Sequence, residues 1–190
     1  MELLELYTEH GVPTEDKDRE ENKLTVRKAE SAEFDEIMGI YRTAQDFMIR
    51  TGNPNQWKHS DPTPEQIKSD IENGICHVIC DRGKIHGVFA LCEGVDPTYL
   101  YIEDGKWMND APYVAIHRIA GDQKMHGIFT NAMEYCKQFA DNIRIDTHKD
   151  NRVMQNVLVK HSFSRCGTIY LKNGESRIAL QWCKDNDPRG

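Results

Sequence analysis

The residues best suited to chemistry lie in one run, from Tyr113 to Gly167. At its centre is the polar turn GDQKMHG, Gly121 to Gly127, preceded by the strand-like YVAIHRIA and followed by the helix-like IFTNAMEYCKQFA. A strand that passes through a Gly-bearing turn into a helix aims backbone amides at an anion. The first amides of a helix have no intrahelical acceptor, and the helix dipole adds positive charge at that end. The amides of Met125, His126, Gly127, Ile128 and Phe129, with the side chains of Lys124 and His126 beside them, therefore suit a phosphate or pyrophosphate. The same residues also read as an ordinary strand-to-helix connection, and element order has to decide between the two. Further on, Asn151 beside Asp150 suits a helix N-cap. Asp146, His148 and Asp150 alternate at a strand exit, where polar residues are normally solvated, and no metal is expected there. His-Glu-x-x-His, Cys-x-x-Cys and Gly-x-Ser-x-Gly do not occur, so zinc and serine hydrolysis lack their minimum parts.

These groups need elements to hold them. LTVRKA (Leu24 to Ala29) alternates like a half-buried strand, and Ser31 offers an N-cap for a helix with Phe34, Ile37, Met38, Tyr41, Ala44 and Met48 on one face, ending near Gly52. Thr63-Pro64-Glu65-Gln66 combines an N-cap, a Pro at the first helical position and a capping-box Gln; Asn73-Gly74 stops that second helix. ICHVICD and IHGVFALCE flank Arg82-Gly83 and predict an antiparallel hairpin. After a long connection with a short element around Thr98 to Ile102 come strand 113–120, helix 128–140, strand 143–148, helix 151–161, strand 166–171 and strand 176–183. The order is β, α, α, β, β, β, α, β, α, β, β, without an internal repeat.

Composition sets the class. With 190 residues, 38% hydrophobic and 29% charged, the chain suffices for one soluble globular domain. Its apolar runs fall far short of the roughly 20 residues a membrane helix needs, and the acidic N-terminus lacks the basic start of a signal peptide. The six cysteines form no paired motif and alternate within apolar patterns, which predicts reduced thiols and a cytoplasmic location. A net charge of −7 disfavours nucleic acid and favours a cationic substrate. Residues 1–23 are expected to be a charged extension, 24–184 the domain and 185–190 a tail.

Over Leu24 to Trp182, this order and its motifs resemble the GNAT superfamily of acyl-CoA-dependent N-acetyltransferases. The family's turn, Gln/Arg-x-x-Gly-x-Gly/Ala, falls on Lys124, Gly127 and Phe129: Gly127 matches, Lys124 keeps the charge, and Phe129 replaces a small residue. Strand IRIDTH, Asn151, and a helix ending in Ser162-Phe163 before Cys166-Gly167 resemble the second signature, while NPNQW (Asn53 to Trp57) resembles the acceptor-site loop of a subset of bacterial members.

The resemblance implies an α/β fold: a mixed, mostly antiparallel twisted sheet with helices on both faces and a splayed central strand pair. It implies acetyl-CoA as co-substrate, held by the turn and by Asn151, with its pantetheine between strands 113–120 and 143–148. A strand amide among Ile119, Ala120 and Gly121 then faces the thioester carbonyl. His117 stands where many members carry a basic carboxylate, and an imidazole suits that task near neutral pH. A structural His bonded to a neighbouring strand or loop is the other reading. Asp146 is the expected orienting group for His117, with His148 or Glu103 as substitutes for the base. Tyr41 and Trp57 are expected at the acceptor. The family's acidic Tyr position is Leu158, so protonation of the leaving thiolate falls to Tyr170 or water. The implied reaction is transfer of an acetyl group to a primary amine of a small molecule or peptide, by direct attack in a ternary complex, without metal, with a homodimer left open. The alternative is a non-catalytic coenzyme A or small-ligand binding module on the same fold. An interaction protein working through the charged extension is a third reading.

Overall fold

A computed structural model describes residues 24–58 and 60–186. The extension expected over residues 1–23, and residues 187–190 of the expected tail, lie outside the described residues. Among those described, seven strands form one sheet: β1 (Thr25–Lys28), β2 (Cys76–Asp81), β3 (Lys84–Glu93), β4 (Val114–Gly121), β5 (Asn142–Thr147), β6 (Ser164–Tyr170) and β7 (Ser176–Cys183), in the order β1-β2-β3-β4-β5-β7-β6. Every neighbouring pair is antiparallel except β4 and β5.

Helices cover both faces, and the central strands β2, β3 and β5 are accordingly buried along nearly their whole length, with alternate residues entering opposite cores. Val78 and Val88 pack under α1 (Phe34–Arg50) and α2 (Pro64–Glu72), with Ile37, Tyr41 and Ile67. Ile79 and Phe89 point the other way, into a larger core with Met133 of α3 (Ile128–Cys136) and Leu158 of α4 (Arg152–Lys160). A third, smaller cluster joins Tyr99, Ala115, Ile169 and Ala179 beneath the connection from β3 to β4. That connection is drawn onto the sheet by a bridge between Glu103 and Thr168. Gly105 permits it, since a Cβ there would lie 2.0 Å from the Cys166 carbonyl oxygen.

Three local expectations change. Ser31 does not cap α1: Ser31–Glu33 is a short 3₁₀ turn, and the Glu30 amide donates to Glu33 Oε2 at 2.8 Å, while Arg27 grips the same carboxylate. Thr63 caps α2 by accepting from the Gln66 amide at 3.2 Å, but the Gln66 side chain turns forward to Asp70 Oδ1, 2.8 Å away, instead of closing a capping box. The helix expected over 128–140 stops at Cys136, where Gln138 and Phe139 tighten to bonds with carbonyls three residues back. At the far end, Lys184–Asn186 forms a 3₁₀ turn after β7, tied by the Lys184 amide to the Asp141 carbonyl at 2.9 Å. No helix among the described residues is long and apolar enough to cross a membrane.

Candidate active site

The site begins where β4 leaves its neighbours. β5 pairs with β4 only at Val114/Ile143 and Ala115/Arg144, so the β5-facing edge of residues 116–121 has no ladder partner. On the other side the register with β3 slips: Val88 faces Ala120 but Ala90 faces His117, leaving Arg118 and Ile119 as a bulge. Arg118 takes φ of 52°, a left-handed conformation costly for a residue with a Cβ. Two helices hold it. The Arg118 Nε donates to Asp70 Oδ2 at 2.8 Å, and the Arg118 carbonyl accepts from the Tyr41 hydroxyl at 3.0 Å. Gln66 fixes the other oxygen of buried Asp70, so the cap of α2 and the bulge of β4 belong to one network.

Below the bulge, β4 runs into the turn. Asp122 accepts from His86 Nδ1 at 2.8 Å and from the Lys124 amide at 2.9 Å. Gly127 then caps α3 with φ of 80° and no side-chain bond to the helix amides. The backbone amides of Met125 to Thr130 find no acceptor among the described residues. A chamber of about 530 Å³ opens over them, walled by Met125, Ile128, Val157 and Met154.

A second chamber of about 530 Å³ lies on the opposite side of the strand opening and shares Met48, Ile119, Asn151 and Met154 with the first. His117 lines it. The ring Nε2 sits 2.8 Å from Asp96 Oδ2, and Asp96 Oδ1 accepts from the Thr98 amide at 2.8 Å and hydroxyl at 2.6 Å. Burial alone would favour the protonated Asp96 acid. Hydrogen bonds from His117 and Thr98 outweigh it and hold the carboxyl well below the usual carboxylate range. An ionised Asp96 can only accept, so Nε2 carries the proton and, in the neutral ring, Nδ1 holds the lone pair. Tyr113 steadies the pair by accepting the Asp96 amide at 2.9 Å. On the far side of the ring, Asp146 Oδ1 accepts from the Tyr99 hydroxyl at 2.9 Å and stands 3.9 Å from His117 Nδ1.

The same architecture occurs in solved structures. A GNAT-family acetyltransferase from Streptococcus agalactiae matches with a TM-score of 0.76 and 29% identity, covering 85% of this chain and 95% of that one. A GNAT-family acetyltransferase from Listeria monocytogenes matches at 0.63 and 18%, covering 84% and 94%. YncA from Salmonella typhimurium, solved with its cofactor acetyl-CoA, matches at 0.56 and 12%, covering 88% and 97%. No protein-family model and no curated protein matches the sequence. The chain belongs to the GNAT superfamily.

Within this GNAT fold the expected site residues part company. Ile119, Ala120, Gly121, Met125, His126, Gly127, Ile128, Phe129 and Asn151 all line the first chamber. Lys124 does not: Asp122 draws its amide back, its side chain is exposed, and Gln123 stands in the lining instead. Phe129 is buried, its ring edge-on to His161 at 4.9 Å and to Phe163 at 5.9 Å, so its bulk goes mostly into the core. The Asn151 side chain is fully engaged, accepting from the Met154 amide at 3.0 Å and donating to Gln56 Oε1 at 2.9 Å.

Of the two residues expected at the acceptor, Trp57 lines the second chamber, but Tyr41 does not. Tyr41 is buried beneath Trp57, with ring centroids 5.7 Å apart, and its hydroxyl is committed to Arg118; burial pushes its pKa well up. Tyr41 supports the bulge and offers no surface to a substrate. Nor is Tyr170 brought to either chamber. Its side chain lies on the outer side of β6, where the hydroxyl donates to Glu103 and that bond raises its pKa. Glu103, being engaged there, is no substitute for His117. His148 is held at the strand exit, its Nδ1 accepting from the Asp150 amide at 3.2 Å. Leu158 is wholly buried in the main core.

Asp96 was the group that sequence reasoning missed. Asp96-Pro97-Thr98 carries a visible signal, an acidic N-cap before a Pro, and it does cap a 3₁₀ turn at Pro97–Tyr99. That signal marks a turn. Nothing in it marks His117 as the neighbour.

Proposed function

We propose that the protein moves an acetyl group from acetyl-CoA to a primary amine of a small molecule or peptide, by direct attack in a ternary complex. The observation that carries this reading is the unpaired edge of β4 beside His117, at the point where the two chambers meet. The residues present fit the coenzyme. Open amides from Met125 to Thr130 suit a pyrophosphate, apolar Met125, Ile128, Met154 and Val157 suit a pantetheine arm, and the β4 edge at Ile119 to Gly121 offers it strand-like hydrogen bonds. When bound, acetyl-CoA supplies an activated thioester. The strand amides of the bulge then serve as donors to developing negative charge, in an orientation fixed beforehand by Tyr41 and Asp70.

His117 is the base. Asp96 holds its Nε2 proton, which leaves Nδ1, 3.9 Å from Asp146 Oδ1, to receive a proton from the amine. No Tyr lines either chamber, so the leaving thiolate takes its proton from solvent. The six unpaired cysteines support a reducing, cytoplasmic setting.

The test is a melting-temperature shift with millimolar acetyl-CoA, followed by coenzyme release across a panel of polyamines, amino acids, aminoglycosides and peptides. A rise in melting temperature and release with at least one amine are expected; neither occurring would sink the reading. Leu158, buried in the place of the family's acid, favours the second reading, a coenzyme-binding module. A thermal shift with no release from any amine is its signature.

A further inference from the structure

The loop after α1 brings Gln56 into the lining of the second chamber, beside Asn151, which both chambers share. Gln56 Oε1 accepts two amides at once, Asn53 Nδ2 and Asn151 Nδ2, both at 2.9 Å. The assignment of oxygen and nitrogen follows from the backbone. The Met154 amide can only donate, so Asn151 must face it with Oδ1 and present Nδ2 to Gln56. Gln56 must in turn answer with its oxygen. Its Nε2 is left pointing away from both, with no hydrogen-bond partner among the described residues, on a residue that lines the acceptor chamber. The main chain is held as well: Arg177 Nη2 donates to the Gln56 carbonyl at 3.4 Å.

The surrounding charges narrow what this donor can meet. Arg118 and Arg177, the buried or half-buried cations of the chamber, are paired with Asp70 and Glu175. Asp96 and Asp146 flank the ring of His117, and Lys172 stands exposed at the rim. An anionic group close to the reacting amine meets two carboxylates there. A neutral carbonyl in the same place escapes that like-charge repulsion.

The geometry points to an acceptor that carries a neutral carbonyl near its amine, as an amino-acid amide or a peptide N-terminus does, with Gln56 Nε2 donating to that carbonyl and setting specificity. This rests on the acetyl-transfer reading of the site. Plain alkylamines lack the group and leave the donor unmet, while free amino acids bring a carboxylate toward Asp96 and Asp146.

The test uses three amines that differ only at this point: phenylalaninamide, phenylalanine and phenethylamine. Their binding to the wild-type chain and to Gln56→Glu is measured by calorimetry, and kcat/KM wherever coenzyme release occurs. Gln56→Glu keeps an oxygen for Asn53 and Asn151, removes the donor and adds a negative charge, whose effect on the amine is common to phenylalaninamide and phenethylamine and cancels between them. Comparing variant with wild type for each amine cancels differences in amine basicity. Phenylalaninamide is expected to lose about tenfold relative to phenethylamine, the size of one neutral hydrogen bond, and phenylalanine to be the weakest of the three in the wild type. Gln56→Met, which removes donor and acceptor together, should show the same relative loss. An equal response by phenylalaninamide and phenethylamine in both variants would overturn the assignment, as would phenylalanine binding best. The acetyl-CoA melting shift is read on the same samples. Its absence counts against acetyl transfer, whereas its presence with an equal response counts against Gln56 alone.

Discussion

The two chambers that meet at Ile119 and Asn151 are built on opposite principles. The coenzyme side is made of backbone left unpaired: the β4 edge past Ala115 and the amides from Met125 to Thr130. The acceptor side is made of side chains that bond to one another, Asp96 with His117, Tyr99 with Asp146, Asn53 and Asn151 with Gln56. Backbone donors read what every acyl-coenzyme A shares and tolerate many side chains. A wall of mutually bonded side chains instead fixes proton positions and leaves a few chosen groups free. The first kind of site survives substitution, and the second does not.

Breaking the acceptor side at its centre should have the largest effect. His117→Ala is expected to lower kcat by about 10²-fold or more, the usual worth of a positioned base, with coenzyme affinity within twofold of wild type. Steady-state kinetics and a coenzyme titration check both halves, and a parallel loss of affinity would mean that the chambers are not separable. Asp96→Asn comes next. An amide there can donate to Nε2 and so favour the wrong tautomer, and a fall of about tenfold or more in kcat is expected.

The same variant sharpens the electrostatic side of the comparison. Asp96 is held below its ordinary value in the folded state, so its contribution to stability is full above an unfolded carboxylate pKa of about 4 and drains away as the pH falls below it. Melting temperatures measured from neutral to acid pH should therefore decline less steeply for Asp96→Asn than for wild type.

On the coenzyme side, Gly127→Ala places a Cβ on a backbone with φ of 80°. That Cβ would meet the Asn131 side-chain nitrogen at 3.5 Å, an ordinary contact, which leaves strain of about 1 kcal/mol as the main cost. Coenzyme affinity should fall several-fold with kcat little changed, which equilibrium binding would measure. The smallest effect is expected from Lys58→Ala. Lys58 joins the acceptor loop to Glu175 by an exposed ion pair at 2.9 Å, and such pairs contribute little. A change in acceptor KM of less than about twofold is predicted; a larger one would show that the loop is held at its rim as well as at Gln56.

Much of the scaffold was legible. The hairpin at Arg82-Gly83, the Thr63 cap, the strand before the turn and the Asn151 helix start all follow from residues within a few positions of each other. Boundaries moved where a neighbour intervened, as when Glu30 and Glu33 took over the start of α1 from Ser31. The site was legible only in part. The turn and His117 stand in the sequence, but Tyr41 reads there as a helix-face aromatic, and only the packing of α1 on β4 turns its hydroxyl onto Arg118. Tyr170 reads as an available acid until Glu103 is brought beside it across 67 residues.

By itself, then, the sequence determined the order of elements, the left-handed glycine before α3 and the strand that carries His117. Each is local, decided by hydrophobic period and by backbone sterics within a turn or two. Tertiary structure decided which carboxylate serves His117, which strand edge stays open and which amide of Gln56 remains free. Those outcomes depend on partners 21 to 95 residues apart, whose meeting is fixed by how helices and connections close over the sheet.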